Sequence, residues 1–300
     1  MNSYAIGKLP EREGRKAMVS NRENSHDRPA ASDHARSRFF CCERETEVRM
    51  EETLREAIEQ KQFELFIQLI FDVHEHHLIG GEALARWRHP KRGLVSPAEF
   101  IPALLNEKII DKLDFFMFEE CCRYLQEWKN AALRSFVLSC NFSRMTLASP
   151  DFRSRLQAIL DRYTFDRDRL IVEITEDTAT SDRDRALENI RFCKSSGFLV
   201  AIDDMGAGCS SLTDLYDFPI DIVKIDRAIT RAADKADGAD QLRGIVELAH
   251  HLGMRTLCEG AETEQELNAV VSCGADFVQG YYFSVVYDVP TAIQRYQAQN

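Results

Sequence analysis

Two rhythms of apolar and polar positions run along this chain, and the alternation between them outlines a fold. Near residue 50, Leu54, Ala57 and Ile58 recur at helical spacing. Short apolar, β-branched runs follow at Glu64–Val73, Leu78–Trp87, Phe136–Phe142, Leu170–Thr175, Leu199–Ile202, Ile222–Ile225, Arg255–Cys258 and Asp276–Phe283. Helical spacing fills most of the intervals, over Lys112–Trp128, Phe152–Arg162, Asp184–Ser195, Ala239–Leu252 and Glu264–Val270. Only His74-Glu75-His76-His77 separates the first two runs, which predicts a hairpin. The remainder reads as strand–helix–strand units, hence a parallel sheet. Eight strands of this kind in roughly 240 residues predict an α/β fold, a modified (β/α)8 barrel of the TIM type, over an open sheet.

Residues 1–50 are charge-dense and without sustained periodicity. They are expected to be a tail or linker, disordered or the remnant of an upstream domain. The barrel is expected over 51–292 and a short C-terminal tail over 293–300. Hydrophobic content of 44% and charged content of 29% suit a soluble globular domain. No run approaches the ~20 apolar residues of a membrane span. Met1–Pro29 offers no apolar segment for a signal peptide, so a cytoplasmic location is the expectation. The nine cysteines include the adjacent pairs Cys41–Cys42 and Cys121–Cys122 and no zinc-type spacing, which points to reduced, buried thiols. With 49 acidic against 38 basic residues, the formal charge of −11 argues against binding a nucleic-acid polymer. If a phosphate ester is the substrate, cations must mediate its approach.

The ends of the strands carry the chemistry. Leu78–Gly81 leads into Glu82, Val137–Cys140 into Asn141, Ile171-Val172 into Glu173, and Val200–Ile202 into Asp203 and Asp204. Lys224 follows Ile222-Val223, Glu259 follows Thr256–Cys258, and Gln279 follows Phe277-Val278. In a barrel these positions converge on one mouth. Carboxylates so close would repel one another unless cations sat among them. Oxygen ligands without thiolate or imidazole select Mg²⁺ or Mn²⁺ over Zn²⁺, and two such ions suit attack on a phosphodiester. A single acid after a strand is more often a cap or a solvated loop residue. Seven polar strand ends in register are harder to dismiss, although a lyase or isomerase on a barrel remains open.

The strings around these residues resemble the EAL family of cyclic di-GMP phosphodiesterases. They are Glu82-Ala83-Leu84-Ala85-Arg86-Trp87, Asn141-Phe142-Ser143, Glu173-Ile174-Thr175-Glu176, Asp203-Asp204-Met205-Gly206-Ala207-Gly208, Lys224-Ile225-Asp226, Glu259-Gly260-Ala261-Glu262 and Gln279-Gly280-Tyr281. The resemblance implies hydrolysis of cyclic di-GMP to linear pGpG by a metal-activated water, with two Mg²⁺ or Mn²⁺ ions, in a homodimer. It assigns metal binding to Glu82, Asn141, Glu173, Asp203, Asp204 and Glu259. Lys224, Glu259 and Glu176 take catalytic roles, Glu176 by anchoring the loop after Asp204. Gln68, Leu84, Arg86, Asp226, Glu262 and Gln279 are assigned to the substrate.

Departures sit at Met205, Ala207 and Cys209, where the family usually has Phe, Thr and Tyr. Ile67 and Leu69 flank Gln68 in place of Tyr and Pro, and Leu105-Asn106 replace an acidic stretch. No ligand is lost, so an active enzyme is the expectation. The alternative is a catalytically silent cyclic di-GMP receptor with an altered loop. His74–His77 is expected in an exposed turn, His250-His251 at a helix end, and Trp87 and Trp128 in packing. Arg183 and Arg185, interleaved with Asp182 and Asp184, are expected on a solvated helix face.

Overall fold

The computed structural model describes residues 52–129, 132–175, 182–206 and 212–299, beginning with helix α1 over 52–59. The expectations for residues 1–50 lie outside these residues. Strands β1 (Phe63–Asp72) and β2 (His77–His89) form the foreseen hairpin, antiparallel throughout, with Gln68 opposite Glu82. Asp72 Oδ1 accepts from His74 N at 2.8 Å and Glu75 N at 2.9 Å, closing an exposed turn and accounting for that histidine-rich string.

After β3 (Gly93–Val95), α2 (Pro97–Asn106) and α3 (Ile110–Glu127), parallel strands alternate with helices. They are β4 (Val137–Ser143), α4 (Arg144–Leu147), α5 (Phe152–Leu160), β5 (Leu170–Thr175), α6 (Arg183–Ser195), β6 (Leu199–Met205), α7 (Leu212–Asp217) and β7 (Ile222–Ile225). Then come α8 (Arg227–Ala232), α9 (Ala236–His251), β8 (Arg255–Glu259), α10 (Glu264–Ser272), β9 (Phe277–Gln279), β10 (Val286–Asp288) and α11 (Val289–Gln299).

Hydrogen bonding closes an eight-stranded circuit, β1–β2–β4–β5–β6–β7–β8–β9 and back to β1. Strand β1 runs antiparallel to both neighbours, and the other pairs are parallel. This is the modified (β/α)8 barrel expected from the alternation of runs.

A period of two then sorts the barrel interior into layers. Ile171, Ala201, Ile222, Leu257 and Phe277 pack together inside it with Ile70. Each of the first five stands two residues before Glu173, Asp203, Lys224, Glu259 or Gln279, so the same strand faces carry an apolar plug and, above it, a polar ring. Burying each Ile, Leu or Phe of the plug contributes about 1.5–3 kcal/mol. It also closes the barrel beneath the polar ring to water.

Two features differ from the sequence reading. Strand β2 runs to His89, two residues past the expected Trp87, because β3 pairs with that end. Residues 293–299, expected as a tail, belong to α11: Ala292 and Tyr296 share its buried face, and Tyr296 Oη lies 3.1 Å from Ser135 Oγ. Trp87 packs as expected, stacked on Phe63 at 5.5 Å. The six cysteines among the described residues are all buried and unbridged.

Candidate active site

Lys224 is the centre of the polar ring. Its side chain is 4% exposed, and its ammonium stands 2.6 Å from Glu259 Oε1, 3.1 Å from Asp203 Oδ1 and 3.5 Å from Glu82 Oε2. It also contacts Glu173 Oε1. Burial opposes its charge, but Glu259 and Glu82 outweigh that and raise its pKa above the ordinary lysine value. Four strands deliver four carboxylates to one ammonium.

Amides brace the ring. Asn141 Nδ2 donates to Glu82 Oε1 at 3.0 Å, and Gln279 Nε2 donates to Glu82 Oε2 at 2.8 Å and to Gln68 Oε1 at 3.0 Å. Burial works against a charged Glu82, yet Lys224 and these donors prevail and hold its carboxyl below the usual value. Asp203 goes the other way: burial, then Glu259, Glu82 and Asp204, push it well above. Burial also raises Glu259, against the pull of Lys224 and with help from Glu82.

Consecutive residues of a strand normally face opposite ways, so the pair Asp203-Asp204 needs a local device. Pairing with β7 slips between Ile202 and Met205, and Asp204 adopts φ 55°, a left-handed conformation that Asp tolerates better than most residues. The Asp204 amide donates to Asp203 Oδ1 at 3.0 Å. As a result, carboxylate oxygens of Asp203, Asp204 and Glu259 lie within 4.8 Å of one another, as do those of Glu82, Glu173 and Glu259. The two groups share Glu259.

The ring fits hard divalent cations. Every donor is a carboxylate or amide oxygen. Asn141 Oδ1, Glu173 Oε2 and Gln279 Oε1 are buried without a hydrogen-bond partner among the described residues. Orphaned buried oxygens are costly unless something electropositive meets them.

Two cavities open beside the ring and share Glu82 and Leu84. One, of about 300 Å³, has a largely apolar wall including Leu84, Pro97, Ile101, Leu105 and Met117, and reaches Asn141 and Asp203. The other, of about 180 Å³, is lined by Gln68, Arg227, Arg231, Glu262, Gln279 and Tyr281 among others. Gly260, at φ 73°, lets α8 approach β8 here: a Cβ would stand 2.4 Å from Arg227 Cβ.

The remaining expected site residues are distributed unevenly. Arg86 is on the Glu82–Leu84 face of β2, its Nη1 donating to Ala85 O at 2.9 Å, and does not line either cavity. The Asp226 carboxylate caps α8, accepting from Ala228 N at 2.8 Å. Glu262 pairs with Arg231. Glu176, Ala207 and Cys209 lie outside the described residues, while Met205 is buried at the end of β6.

Arg227, Arg231 and Asp114 were not singled out from the sequence. Asp114 had a signal: it falls on the apolar stripe of α3, where a buried acid needs an explanation. It accepts from Ser143 N at 3.0 Å and Thr146 Oγ1 at 2.6 Å on the wall of the larger cavity. Burial pushes its pKa up to about 7 despite those bonds. Between the ordinary value and about 7 the folded state holds a proton that the unfolded chain has released, so this group lowers stability as pH rises through that window. Asp114→Asn is expected to remove that slope. Compared by denaturant unfolding, the variant should gain on the wild type from pH 5 to pH 8, by a few kcal/mol at most. Parallel stability curves would refute it.

The EAL domain family matches residues 51–285. The chain is 31% identical over 229 residues to the bifunctional diguanylate cyclase/cyclic di-GMP phosphodiesterase MucR of Pseudomonas aeruginosa, covering 76% of this chain and 33% of MucR. It is 31% identical over 234 residues to the probable cyclic di-GMP phosphodiesterase PdeG of Escherichia coli, covering 78% of this chain and 46% of PdeG. The chain therefore spans less than half the length of these relatives. Among solved structures, the EAL enzyme Bd1971 in its cAMP and cyclic-di-GMP bound form is similar at a TM-score of 0.76 and 28% identity, over 84% of this chain and 69% of that one. The MucR phosphodiesterase in complex with c-di-GMP gives 0.74 and 29%, over 81% and 99%.

Proposed function

We propose, from the premise that this chain belongs to the EAL domain family, that it hydrolyses cyclic di-GMP to linear pGpG with the help of divalent cations. The observation that carries the reading is the ring itself: five carboxylates and the orphaned Asn141 oxygen around one mouth, in two groups sharing Glu259. Glu82, Asn141, Glu173, Asp203, Asp204 and Glu259 would hold two Mg²⁺ or Mn²⁺ ions. Bound there, the ions supply positive charge that offsets the phosphodiester's and makes a water more acidic.

The chain's own residues do the rest. Lys224 keeps its proton, orients the attacking water and meets the charge that develops on the phosphoryl oxygens. Glu259, raised by burial yet touching Lys224, is placed to take up the water's proton as well as to bind metal. Glu82 and Leu84 line both cavities, so the halves of a cyclic dinucleotide can occupy one each while the scissile phosphate faces the ring. Gln68, Gln279, Arg86, Asp226 and Glu262 are the proposed nucleotide contacts, with Arg227 added as a cation in the smaller cavity. Glu176 keeps its proposed role as loop anchor.

A homodimer in the cytoplasm is the proposed working form. Buried, unbridged thiols suit a reducing compartment, and no helix among the described residues is long and apolar enough to cross a membrane. The test is chromatography of cyclic di-GMP after incubation with the protein and Mn²⁺. Linear pGpG is the expected product, whereas nucleotide bound and returned intact would make the protein a receptor.

A further inference from the structure

Above the polar ring, three helices meet on one buried carboxylate. Asp214 of α7 has a side chain only 5% exposed. It accepts from Arg144 Nη2 at 2.8 Å, and from Arg183 Nη2 at 2.8 Å and Nε at 3.2 Å. Arg183 Nη2 also donates to Asp217 Oδ2 at 2.8 Å. Both guanidinium groups lie near the Phe218 ring, at 5.9 Å and 5.0 Å from its centroid. Arg183 is 40% exposed, in keeping with the expected solvated face, and still donates to Asp214 from there.

The origin of each partner gives the cluster its meaning. Arg144 opens α4, three residues after Asn141. Arg183 opens α6, the first described helix after β5 and Glu173. Asp214 belongs to α7, the first described helix after β6 with Asp203 and Asp204. The described helices that follow three successive ligand-bearing strands are therefore tied to one side chain. Little water reaches Asp214, so the charge-assisted bonds are strong, and without the carboxylate the two arginines would lose the acceptor they share.

We propose that Asp214 is a positioning residue that couples helices α4, α6 and α7 and thereby sets the relative placement of Asn141, Glu173 and the Asp203–Asp204 pair. The consequence for metal binding rests on the function proposed above; the coupling itself does not. An ordinary ion pair provides the contrast. Lys194 Nζ meets both Asp221 oxygens at 2.7 Å, and Asp221 also accepts from Val200 N, at the opposite ends of β6 and β7 from the ring.

The experiment uses the full chain, with D214N beside D221N as a purely structural control. Amide hydrogen exchange is followed in metal-free protein over 144–147 and 183–186, and Mn²⁺ uptake is measured by electron paramagnetic resonance without nucleotide. D214N is expected to speed exchange in both segments by about tenfold and to weaken Mn²⁺ binding by about tenfold, at the lower end for residues that orient metal ligands. D221N should lower the unfolding temperature and leave both readouts near wild type. Faster exchange at only one helix, or a D214N that behaves as D221N does, overturns the proposal. If the wild type takes up no Mn²⁺, the metal reading has failed, and exchange at the two helices still decides the coupling. Should D214N not fold, R183Q carries the test: loosening transmitted to α4 supports the coupling, and a change confined to α6 overturns it.

Discussion

Lys224→Ala is expected to reduce hydrolysis of cyclic di-GMP by about 10³-fold, the cost of removing a preorganised charge from a transition state. The same substitution should destabilise the metal-free protein. The wild-type ammonium is 4% exposed and touches Glu82, Glu173, Asp203 and Glu259. With alanine there, the carboxylates keep their mutual repulsion and lose the cation that offsets it. Breaking a buried ion pair by removing one partner typically costs about 3–5 kcal/mol. Divalent cations would restore the missing charge, so Mn²⁺ should raise the variant's melting temperature by more than the wild type's. Calorimetry with and without Mn²⁺ checks this. A variant that melts like the wild type without metal would contradict the electrostatic role given to Lys224.

Glu173→Gln is the complementary change, because it removes a charge while keeping the shape. Glu173 is fully buried, with one oxygen against Lys224 and the other without a hydrogen-bond partner among the described residues. The amide preserves volume and packing in β5, so the metal-free fold should melt within a few degrees of wild type. Metal binding should collapse. A wild type holding Mn²⁺ at a hundred times its dissociation constant gains about 2.7 kcal/mol, and the variant should show almost none of that gain. Hydrolysis should fall by at least about 10²-fold. Undiminished stabilisation by Mn²⁺ would show that Glu173 is a structural acid.

Much of this was legible in the chain. The barrel followed from eight short apolar runs separated by helical spacing, and the hairpin from a four-residue gap too short for a crossover. The ring followed from polar residues ending those runs, since period-two alternation carries Ile171 and Glu173, or Leu257 and Glu259, to the same interior. What escaped depends on long-range contact. Nothing local in Asp214 marks it as buried between arginines about 30 and 70 residues away in sequence. The pairing of Arg183 escaped because the carboxylate that binds it lies on another helix. The helical character of residues 293–299 escaped because the four-residue apolar spacing of α11 is short. Asp226, a proposed nucleotide contact, also caps α8 with Oδ1, a use that only the local backbone reveals.

The most direct test of the account is the initial rate of cyclic di-GMP cleavage against free Mn²⁺, set by a chelator buffer, for wild type and Glu173→Gln. Excess chelator should leave no pGpG, free Mn²⁺ should give a saturable rise in the wild type, and the variant should stay nearly flat. Cleavage that persists in chelator, or nucleotide that stays intact at every Mn²⁺ concentration, would contradict it.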